Sequence, residues 1–319
     1  MRILCTGGLG FLGSHVAEVY ARNGDTVDIV DNMSRGEFNE RIKAELMGGS
    51  FKANIQYYKE DIRNQKKMKE LIVDNYDRIF HFAALPSHRN ALERPHEYIE
   101  IDCMGTANIL EAARLSVKKP LVVFASSNKV YGKQECPWRE DKLPQPEGPY
   151  AVAKWASEKL CEMYNQYYNV PCLVLRYHHV AGARSNPELA LSVFTEQALA
   201  GKALEVHGTI IDGPFIPCSA DYTHVDDAIA ATVMAVEKYK GFEIFNIANK
   251  KLTSVLTLAF LVTKALHSVS QVRQAPLLPH ETLEHHSDVS KVERELGFVA
   301  KIPVERAVVD YIHWRKKYE

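Results

Sequence analysis

The chain has 319 residues, of which 46% are hydrophobic, and its formal net charge at pH 7 is −1. This length is enough for one large domain or two closely associated ones. A near-zero charge excludes the strongly basic class of nucleic-acid-binding proteins, and the apolar runs are far shorter than the ~20 residues of a membrane helix. The six scattered cysteines form no C-x-x-C pair, so we expect reduced thiols in a cytoplasmic protein. We also expect no signal peptide, because the first predicted strand begins at residue 2. Because no histidine spacing typical of a metal site is present, we predict no metal.

Short apolar runs alternate with amphipathic segments up to residue 176. The runs predict strands at 2–5, 26–30, 55–58, 78–82, 120–124 and 172–176, and the segments between them predict helices at 12–23, 64–75, 97–116 and 150–169. Such alternation is typical of a parallel sheet covered by helices on both faces. We therefore predict an α/β fold, with a Rossmann-type doubly wound parallel sheet in a dinucleotide-binding domain at 1–176.

Beyond residue 176 the loops become longer and prolines more frequent. We predict helices at 188–200, 226–238, 254–267, 289–296 and 304–317. One more buried strand is expected at 242–247, so the chain should return to the sheet within 222–250. The rest of 177–319 is predicted to form a smaller α/β lobe that binds the substrate.

A glycine-rich segment, TGGLGFLG at 6–13, directly follows the first predicted strand. Gly7 would allow a tight turn, and Gly10 would let the backbone approach a pyrophosphate at the start of the next helix. The second strand ends at Asp31, close to the spacing of ~20 residues at which a carboxylate binds the adenosine ribose. This carboxylate favours NAD over NADP, although Arg35 nearby weakens the preference. The alternative is a glycine-rich turn that binds no ligand.

Tyr150 and Lys154 lie four residues apart on a predicted helix, so both side chains project from one face. Tyrosine has a pKa of about 10 and is a poor base at neutral pH, but a nearby ammonium and a positive nicotinamide would lower that pKa. The pair could then take a proton from an alcohol while hydride leaves for the cofactor. Ser126 and Ser127 follow the strand that ends at Phe124, where a hydroxyl can bond the reacting oxygen. The alternatives are an exposed Tyr–Lys pair and serines that cap a turn.

At these residues the chain resembles the extended short-chain dehydrogenase/reductase family of sugar-nucleotide epimerases and dehydratases. The resemblance extends along nearly the whole length and includes segments 6–13 and 126–132. It implies that Ser127, Tyr150 and Lys154 are catalytic, that NAD is retained through the cycle, and that helices 97–116 and 150–169 form a homodimer interface. The predicted cofactor-binding residues are Gly7, Gly10, Phe11, Leu12, Asp31, Asn32, Asp61, Ile62, Phe82, Ala83, Ala84, Tyr150 and Lys154.

The two residues after the catalytic serine separate reaction types within this family. The 4,6-dehydratases commonly carry Asp-Glu there and decarboxylases carry Glu at the second position, whereas this chain has Asn128-Lys129. Neither residue can serve as that acid or base, which argues against elimination; the segment is also similar to that of CDP-tyvelose epimerase. The resemblance therefore implies an NAD-dependent epimerase that works through hydride transfer and a transient keto intermediate, on a sugar that we expect to be nucleotide-linked. The alternatives are a 4,6-dehydratase and an NAD-dependent dehydrogenase of a non-nucleotide alcohol.

The chain departs from the family pattern at positions that normally bind a diphosphate. Ala220 and the region 278–280 lack the expected arginines, and the asparagine usual at position 179 is replaced by histidine. Either other residues bind the diphosphate or the substrate carries none. The candidate replacements are His179, Arg184, Arg273 and His280.

The remaining predictions concern contacts with the substrate. His88 and Arg89 follow a strand end beside the expected crevice, although a solvated loop is an equally good interpretation. Asp102 stands where the family usually has asparagine, and the sequence assigns it no role. The predicted substrate contacts are Ser127, Asn128, His88, Arg89, His179 and Arg184.

Overall fold

The computed structural model describes residues 1–239, 241–278 and 282–318, without the side chains of His88 and Arg89. The chain divides into two compact units. Unit 1 comprises Met1–Gly132, Leu143–Arg176 and Thr232–Phe245, and unit 2 comprises Lys133–Lys142, Tyr177–Ala231 and Asn246–Glu319. Segment 133–142 thus belongs to unit 2, whereas the sequence prediction kept 1–176 together. The roles predicted for the two regions stay predictions.

The strands and helices have the following bounds. The strands are β1 (Arg2–Thr6), β2 (Thr26–Val30), β3 (Ile55–Tyr58), β4 (Arg78–His81), β5 (Leu121–Ser127), β6 (Cys172–Tyr177), β7 (Val180–Ala181), β8 (Leu204–Ile210), β9 (Phe215–Pro217), β10 (Ser219–Ala220), β11 (Thr223–His224), β12 (Phe242–Ile247), β13 (Thr253–Ser254), β14 (Val272–Pro276) and β15 (Glu284–His285). The helices are α1 (Phe11–Arg22), α2 (Glu37–Gly48), α3 (Gln65–Ile72), α4 (His88–Glu93), α5 (Pro95–Tyr98), α6 (Gly105–Leu115), α7 (Gly148–Tyr168), α8 (Ala190–Leu199), α9 (Val225–Lys238), α10 (Val255–Leu266), α11 (Ser290–Leu296) and α12 (Val304–Lys316).

A seven-stranded sheet, in the order β12–β6–β5–β4–β1–β2–β3, forms the centre of unit 1. The pairs β1–β2, β1–β4, β2–β3 and β4–β5 are parallel. β1 and β2 are buried along four of their five residues, as expected for strands covered on both faces. The predicted α/β class and doubly wound parallel sheet are confirmed.

One face of the sheet fixes the position of α7, the helix that carries Tyr150 and Lys154. Strand side chains of this face pack with residues of α3, α6 and α7 in one hydrophobic cluster. The buried members include Leu4, Val30, Met68, Ile72, Ile79, Ile109, Leu110, Val122, Cys161 and Val174. Burying this many aliphatic side chains, at roughly 1.5–3 kcal/mol each, holds α7 firmly against the strands.

The structure of unit 1 differs from the sequence prediction at α2 and at 97–116. Helix α2 was not predicted, because half of its residues EFNERIKAELMG are polar and only Asn39, Ile42 and Leu46 are buried. The continuous helix predicted at 97–116 is instead α5, a π-helical turn at Ile99–Met104 and then α6. Such turns occur frequently at functional sites.

Unit 2 contains short sheets and helices. Its sheets have the strand orders β14–β8–β9, β13–β10–β15 and β11–β7. The helices predicted beyond residue 176 are present as α8, α9, α10, α11 and α12. The strands were missed because most have only two to five residues. In the described part of the chain, no helix combines the length and apolarity needed to cross a membrane.

Candidate active site

The glycine loop folds tightly on itself at the end of β1. Gly7 has a φ of 67°, and a Cβ atom there would lie 2.6 Å from the backbone nitrogen of Ala83. A Cβ atom on Gly13 would overlap the Gly7 carbonyl oxygen. Gly10 precedes α1 and provides no side-chain cap, so the N–H groups of the first turn, including those of Phe11 and Leu12, have no intrahelical acceptor. This open helix end is suited to binding a phosphate group.

Asp31 joins the glycine loop to the end of β2. Its carboxylate accepts the Leu9 N–H at 3.1 Å and the Met33 N–H at 2.9 Å. Burial raises the pKa of Asp31, and the two backbone hydrogen bonds and the Arg35 charge oppose this change. The carboxylate is therefore held in a fixed position beside the loop, as its predicted contact with ribose requires.

The other predicted cofactor residues lie along the same edge of the sheet. Asn32 donates to Asp61 at 3.0 Å, and the Arg63 guanidinium lowers the pKa of Asp61 to about 2, so this carboxylate is ionised. The Ile62 side chain belongs to the hydrophobic cluster, which leaves only its backbone for a ligand. The backbone of Phe82 and Ala83, just before Ala84, passes close to Gly7, and the Phe82 N–H donates to the Thr6 carbonyl at 2.9 Å.

The predicted catalytic residues meet between β5 and α7. Tyr150 lies close enough to Ser127 for the serine hydroxyl to lower the pKa of the tyrosine. Ser127 also donates to Asn128 Oδ1 at 3.3 Å and accepts the Lys129 N–H at 3.2 Å. Lys154 Nζ donates to the Ala125 carbonyl at 3.0 Å. All three predicted catalytic side chains are buried.

Burial and neighbouring groups change the pKa values of Tyr150 and Lys154. Burial raises the pKa of Tyr150, the Ser127 hydrogen bond lowers it, and Asp102 raises it further. Burial also lowers the pKa of Lys154, while Asp102 and Glu158 raise it. Here the loss of water around the phenolate has the largest effect on the pKa of Tyr150. The lowering expected from Lys154 together with a positive nicotinamide stays a prediction.

A buried ion pair that the sequence analysis missed supports this centre. Arg176 donates to both carboxylate oxygens of Glu158, at 2.9 and 2.7 Å, and to the Tyr131 hydroxyl at 2.8 Å. Ser126 donates its hydroxyl to the same carboxylate. The Ser126 hydroxyl is therefore bound to Glu158. Ser127 is the serine that interacts with Tyr150. Glu158 follows Tyr150 and Lys154 at a spacing of four residues, and this spacing was the available sequence signal.

The predicted substrate residues of the second half belong to unit 2. His179 has a φ of 33°, and its Nδ1 atom lies 3.4 Å from Asp221 Oδ1. Arg184 is buried, whereas Arg273 lies exposed on β14 and donates to Gln271. His280 and the side chains of His88 and Arg89 lie outside the described residues. The substrate contacts of this set stay predictions.

A comparison with known protein families identifies the chain. The model of the NAD dependent epimerase/dehydratase family matches residues 3–248. The chain belongs to this family. The predicted resemblance to sugar-nucleotide epimerases and dehydratases is thereby confirmed.

Relatives of this NAD-dependent epimerase/dehydratase cover its whole length. It is 33% identical to a UDP-N-acetyl-α-D-glucosaminuronate decarboxylase of Bacillus cytotoxicus, over 100% of this chain and 98% of that protein. It is 28% identical to UDP-glucuronate 4-epimerase 5 of Arabidopsis thaliana, over 98% of this chain and 75% of that protein. The structure of UDP-glucuronic acid 4-epimerase from Bacillus cereus, in complex with UDP-glucuronic acid and NAD, has a TM-score of 0.90 at 28% identity and 100% coverage of both chains.

The residues of the glycine loop fit the cofactor of this family. The open N-terminus of α1 matches the two phosphates of a dinucleotide, and the fixed Asp31 carboxylate matches a ribose with free hydroxyls. Among the described residues, no cluster of three or more His, Cys, Asp or Glu side chains could hold a metal ion. The open helix end offers hydrogen-bond donors and Asp31 offers an acceptor, as the predicted binding of NAD by these residues requires.

We expect Gly7→Ala to weaken NAD binding by about tenfold or more, which corresponds to 1.4 kcal/mol. The new methyl group would meet the Ala83 backbone, and the loop would have to move. Gly24→Ala is the matched control, because Gly24 has a φ of 85° but open space around its Cβ position. Both variants carry the strain of a positive φ. Calorimetric titration with NAD should therefore find weaker binding only for Gly7→Ala; equal affinities would contradict the role of this close contact.

Proposed function

We propose that the protein is an NAD-dependent epimerase of a nucleotide-linked sugar, with a UDP-sugar as the substrate. The observation that carries the proposal is that Ser127 of β5 lies buried beside Tyr150 and Lys154 of α7, with a neutral Asn128 directly after Ser127. The relatives named above that act on UDP-glucuronic acid support a UDP-linked uronic acid as the first substrate to test.

The geometry supports a definite role for each side chain. Tyr150 takes the proton of the reacting sugar hydroxyl, and the Ser127 hydroxyl turns from Asn128 Oδ1 to donate a hydrogen bond to the same oxygen. Lys154 supplies a fixed positive charge that stabilises the phenolate. NAD, held by the glycine loop and Asp31, would supply the hydride acceptor for the sugar carbon and the hydride donor for its return. After the keto sugar turns its other face, Tyr150 gives the proton back, and the configuration at that carbon is inverted.

Asn128 supports epimerisation over elimination. Its side chain is buried, and its Nδ2 atom has no hydrogen-bond partner among the described residues. Because Oδ1 accepts the Ser127 hydroxyl, Nδ2 remains as a donor. A neutral amide can orient a substrate hydroxyl but cannot transfer a proton. The acid that expels water in a dehydratase is therefore absent from this position.

The test is a product analysis with a panel of nucleotide sugars. Purified protein is incubated with UDP-glucuronic acid, UDP-glucose, CDP-glucose and dTDP-glucose, and the products are resolved by chromatography and NMR. We expect a stereoisomer of one UDP-sugar, with no net absorbance gain at 340 nm. Loss of water or release of carbon dioxide would contradict epimerisation, and accumulation of NADH would indicate a dehydrogenase.

We also propose that the protein is a homodimer formed through the π-helical turn, α6 and α7. This surface exposes large apolar side chains, including Ile99, Met104, Leu115 and Val152. Met104 is 56% exposed, and we expect Met104→Glu to convert a dimer into a monomer in analytical ultracentrifugation. Val269→Glu is the control, because Val269 is 98% exposed and lies outside this surface. A monomeric wild-type protein would contradict the proposal.

A cytoplasmic location is proposed from the cysteines. All six are free thiols, and Cys5, Cys161, Cys172 and Cys218 are buried. Free thiols persist in reducing compartments. Detection of the native protein in the cytosolic fraction of its host would support this location, and detection outside the cell membrane would contradict it.

A further inference from the structure

Asp102 is a buried carboxylate beside the predicted catalytic centre. It lies in the π-helical turn at Ile99–Met104 and is only 1% exposed. Its Oδ1 atom accepts the Leu85 N–H at 2.8 Å, and its Oδ2 atom has no hydrogen-bond partner among the described residues. An ionised carboxylate with one unsatisfied buried oxygen is costly unless a positive charge lies nearby.

The nearby positive charge is the ammonium of Lys154. Burial raises the pKa of Asp102 to about 6, and the Lys154 charge opposes this change. In return, Asp102 raises the pKa of Lys154 against the opposing effect of burial. Asp102 also raises the pKa of Tyr150. One carboxylate thus acts on both members of the pair that the proposed reaction uses.

The backbone around Asp102 is fixed to the elements on either side. Its carbonyl oxygen accepts the Ser157 hydroxyl of α7 at 2.9 Å and the Thr106 hydroxyl of α6. Thr106 is also hydrogen-bonded to His81 of β4 at 2.9 Å. These hydrogen bonds fix the position of the Asp102 backbone relative to α7. A change in the charge of the Asp102 carboxylate therefore changes the electrostatic environment of Tyr150 and Lys154 on that helix.

We propose that Asp102 is a positioning residue whose buried carboxylate supplies the counter-charge to Lys154 and holds the Leu85 backbone after β4. The catalytic effect of Asp102 rests on the proposed function. The electrostatic interaction of Asp102 with Lys154 does not depend on that function. From the sequence alone, Asp102 was an unexplained replacement of the asparagine usual in this family. The proposed interactions with Lys154 and Leu85 explain the replacement.

The other titratable groups around Asp102 do not replace it. On its own turn, burial raises the pKa of the Cys103 thiol, and Asp102 raises it further. From β4, burial lowers the pKa of His81 to about 3, so this ring is neutral near pH 7. Tyr98 of α5 packs against Tyr150 and raises the pKa of Tyr150. From α7, Glu158 is paired with Arg176. Asp102 is thus the group within this set that changes charge near neutral pH.

The test compares pH profiles of kcat/KM for the wild type and Asp102→Asn. Asparagine keeps an oxygen for the Leu85 N–H and removes the negative charge. The pKa values of Tyr150 and Lys154 should both fall, so both limbs of the profile should move to lower pH, by about one unit. A lower maximum with unmoved limbs would show a merely structural role and overturn the proposal. Asp212→Asn, in an exposed turn, should leave the profile unchanged.

A second readout needs no substrate. Because the folded-state pKa of Asp102 is raised, its contribution to stability is present below about pH 4 and is lost as the pH rises through about 6. Asp102→Asn should therefore raise the unfolding temperature at pH 8 and lose this advantage at pH 4. A difference that does not vary with pH would overturn the proposal. If the difference in unfolding temperature varies with pH as expected but no epimerisation is found, the proposed function is wrong. The electrostatic role of Asp102 would then still be supported.

Discussion

Tyr150→Phe is expected to lower kcat by about 10²- to 10⁴-fold, the usual contribution of a positioned acid–base group. The substitution removes the hydroxyl that contacts Ser127 and keeps the ring that packs edge-on against Tyr98, with centroids 6.3 Å apart. NAD affinity and the unfolding temperature should stay close to wild type. The loss should therefore appear in turnover alone, measured with the UDP-sugar that the product analysis identifies.

The control for this variant is Tyr167→Phe, on the same helix. Tyr167 is exposed, so loss of its hydroxyl should leave kcat unchanged. Full turnover by Tyr150→Phe would remove Tyr150 from the mechanism and leave the Ser127 group without its proton acceptor.

Arg176→Met is expected to reduce the free energy of unfolding by about 3–5 kcal/mol, because it leaves the Glu158 carboxylate buried without its cation. Both side chains of the pair are 2% exposed, and two hydrogen bonds join them. The effect should extend to the reaction, since the same carboxylate accepts the Ser126 hydroxyl next to Ser127. Urea unfolding measures the first effect, and kcat measures the second.

An exposed pair provides the comparison. Arg22 and Glu18 on α1 form a salt bridge at 2.6 Å, but Arg22 is largely exposed, so Arg22→Met should cost at most about 1 kcal/mol. The double variant Arg176→Met/Glu158→Leu should recover much of the lost stability, because it removes the uncompensated charge. Equal costs for Arg176→Met and Arg22→Met would contradict the burial argument.

The sequence contained most of the fold of unit 1. The strand at 26–30 is mainly apolar, with one aspartate in its middle. A mainly apolar run of this length predicts a strand in a sheet that helices cover on both faces. Helix α2 lacked that signal, since half of its residues are polar and only three are buried. The π-helical turn was missed because its residues continue the helical pattern on both sides. In unit 2, the short strands have too few residues to show an alternation.

The site was predictable where a local motif defines it. The glycine loop and the Tyr150–Lys154 spacing are short-range patterns, whereas Glu158 and Asp102 take their roles from distant partners. Glu158 pairs with Arg176, 18 residues away on a strand, and a charged residue on a helix normally indicates solvent exposure. Asp102 reaches Leu85, 17 residues earlier in the chain. A single sequence does not contain these long-range contacts.

The most direct test of hydride transfer through NAD is epimerisation in deuterated water. The substrate identified by the product analysis is converted in D₂O, and the inverted carbon is examined by NMR. Our account predicts that this carbon keeps its original hydrogen, because hydride leaves and returns through the cofactor without exchange with solvent. Deuterium at the inverted carbon would show removal and return of a proton, and would contradict the mechanism proposed for Tyr150, Ser127 and Lys154.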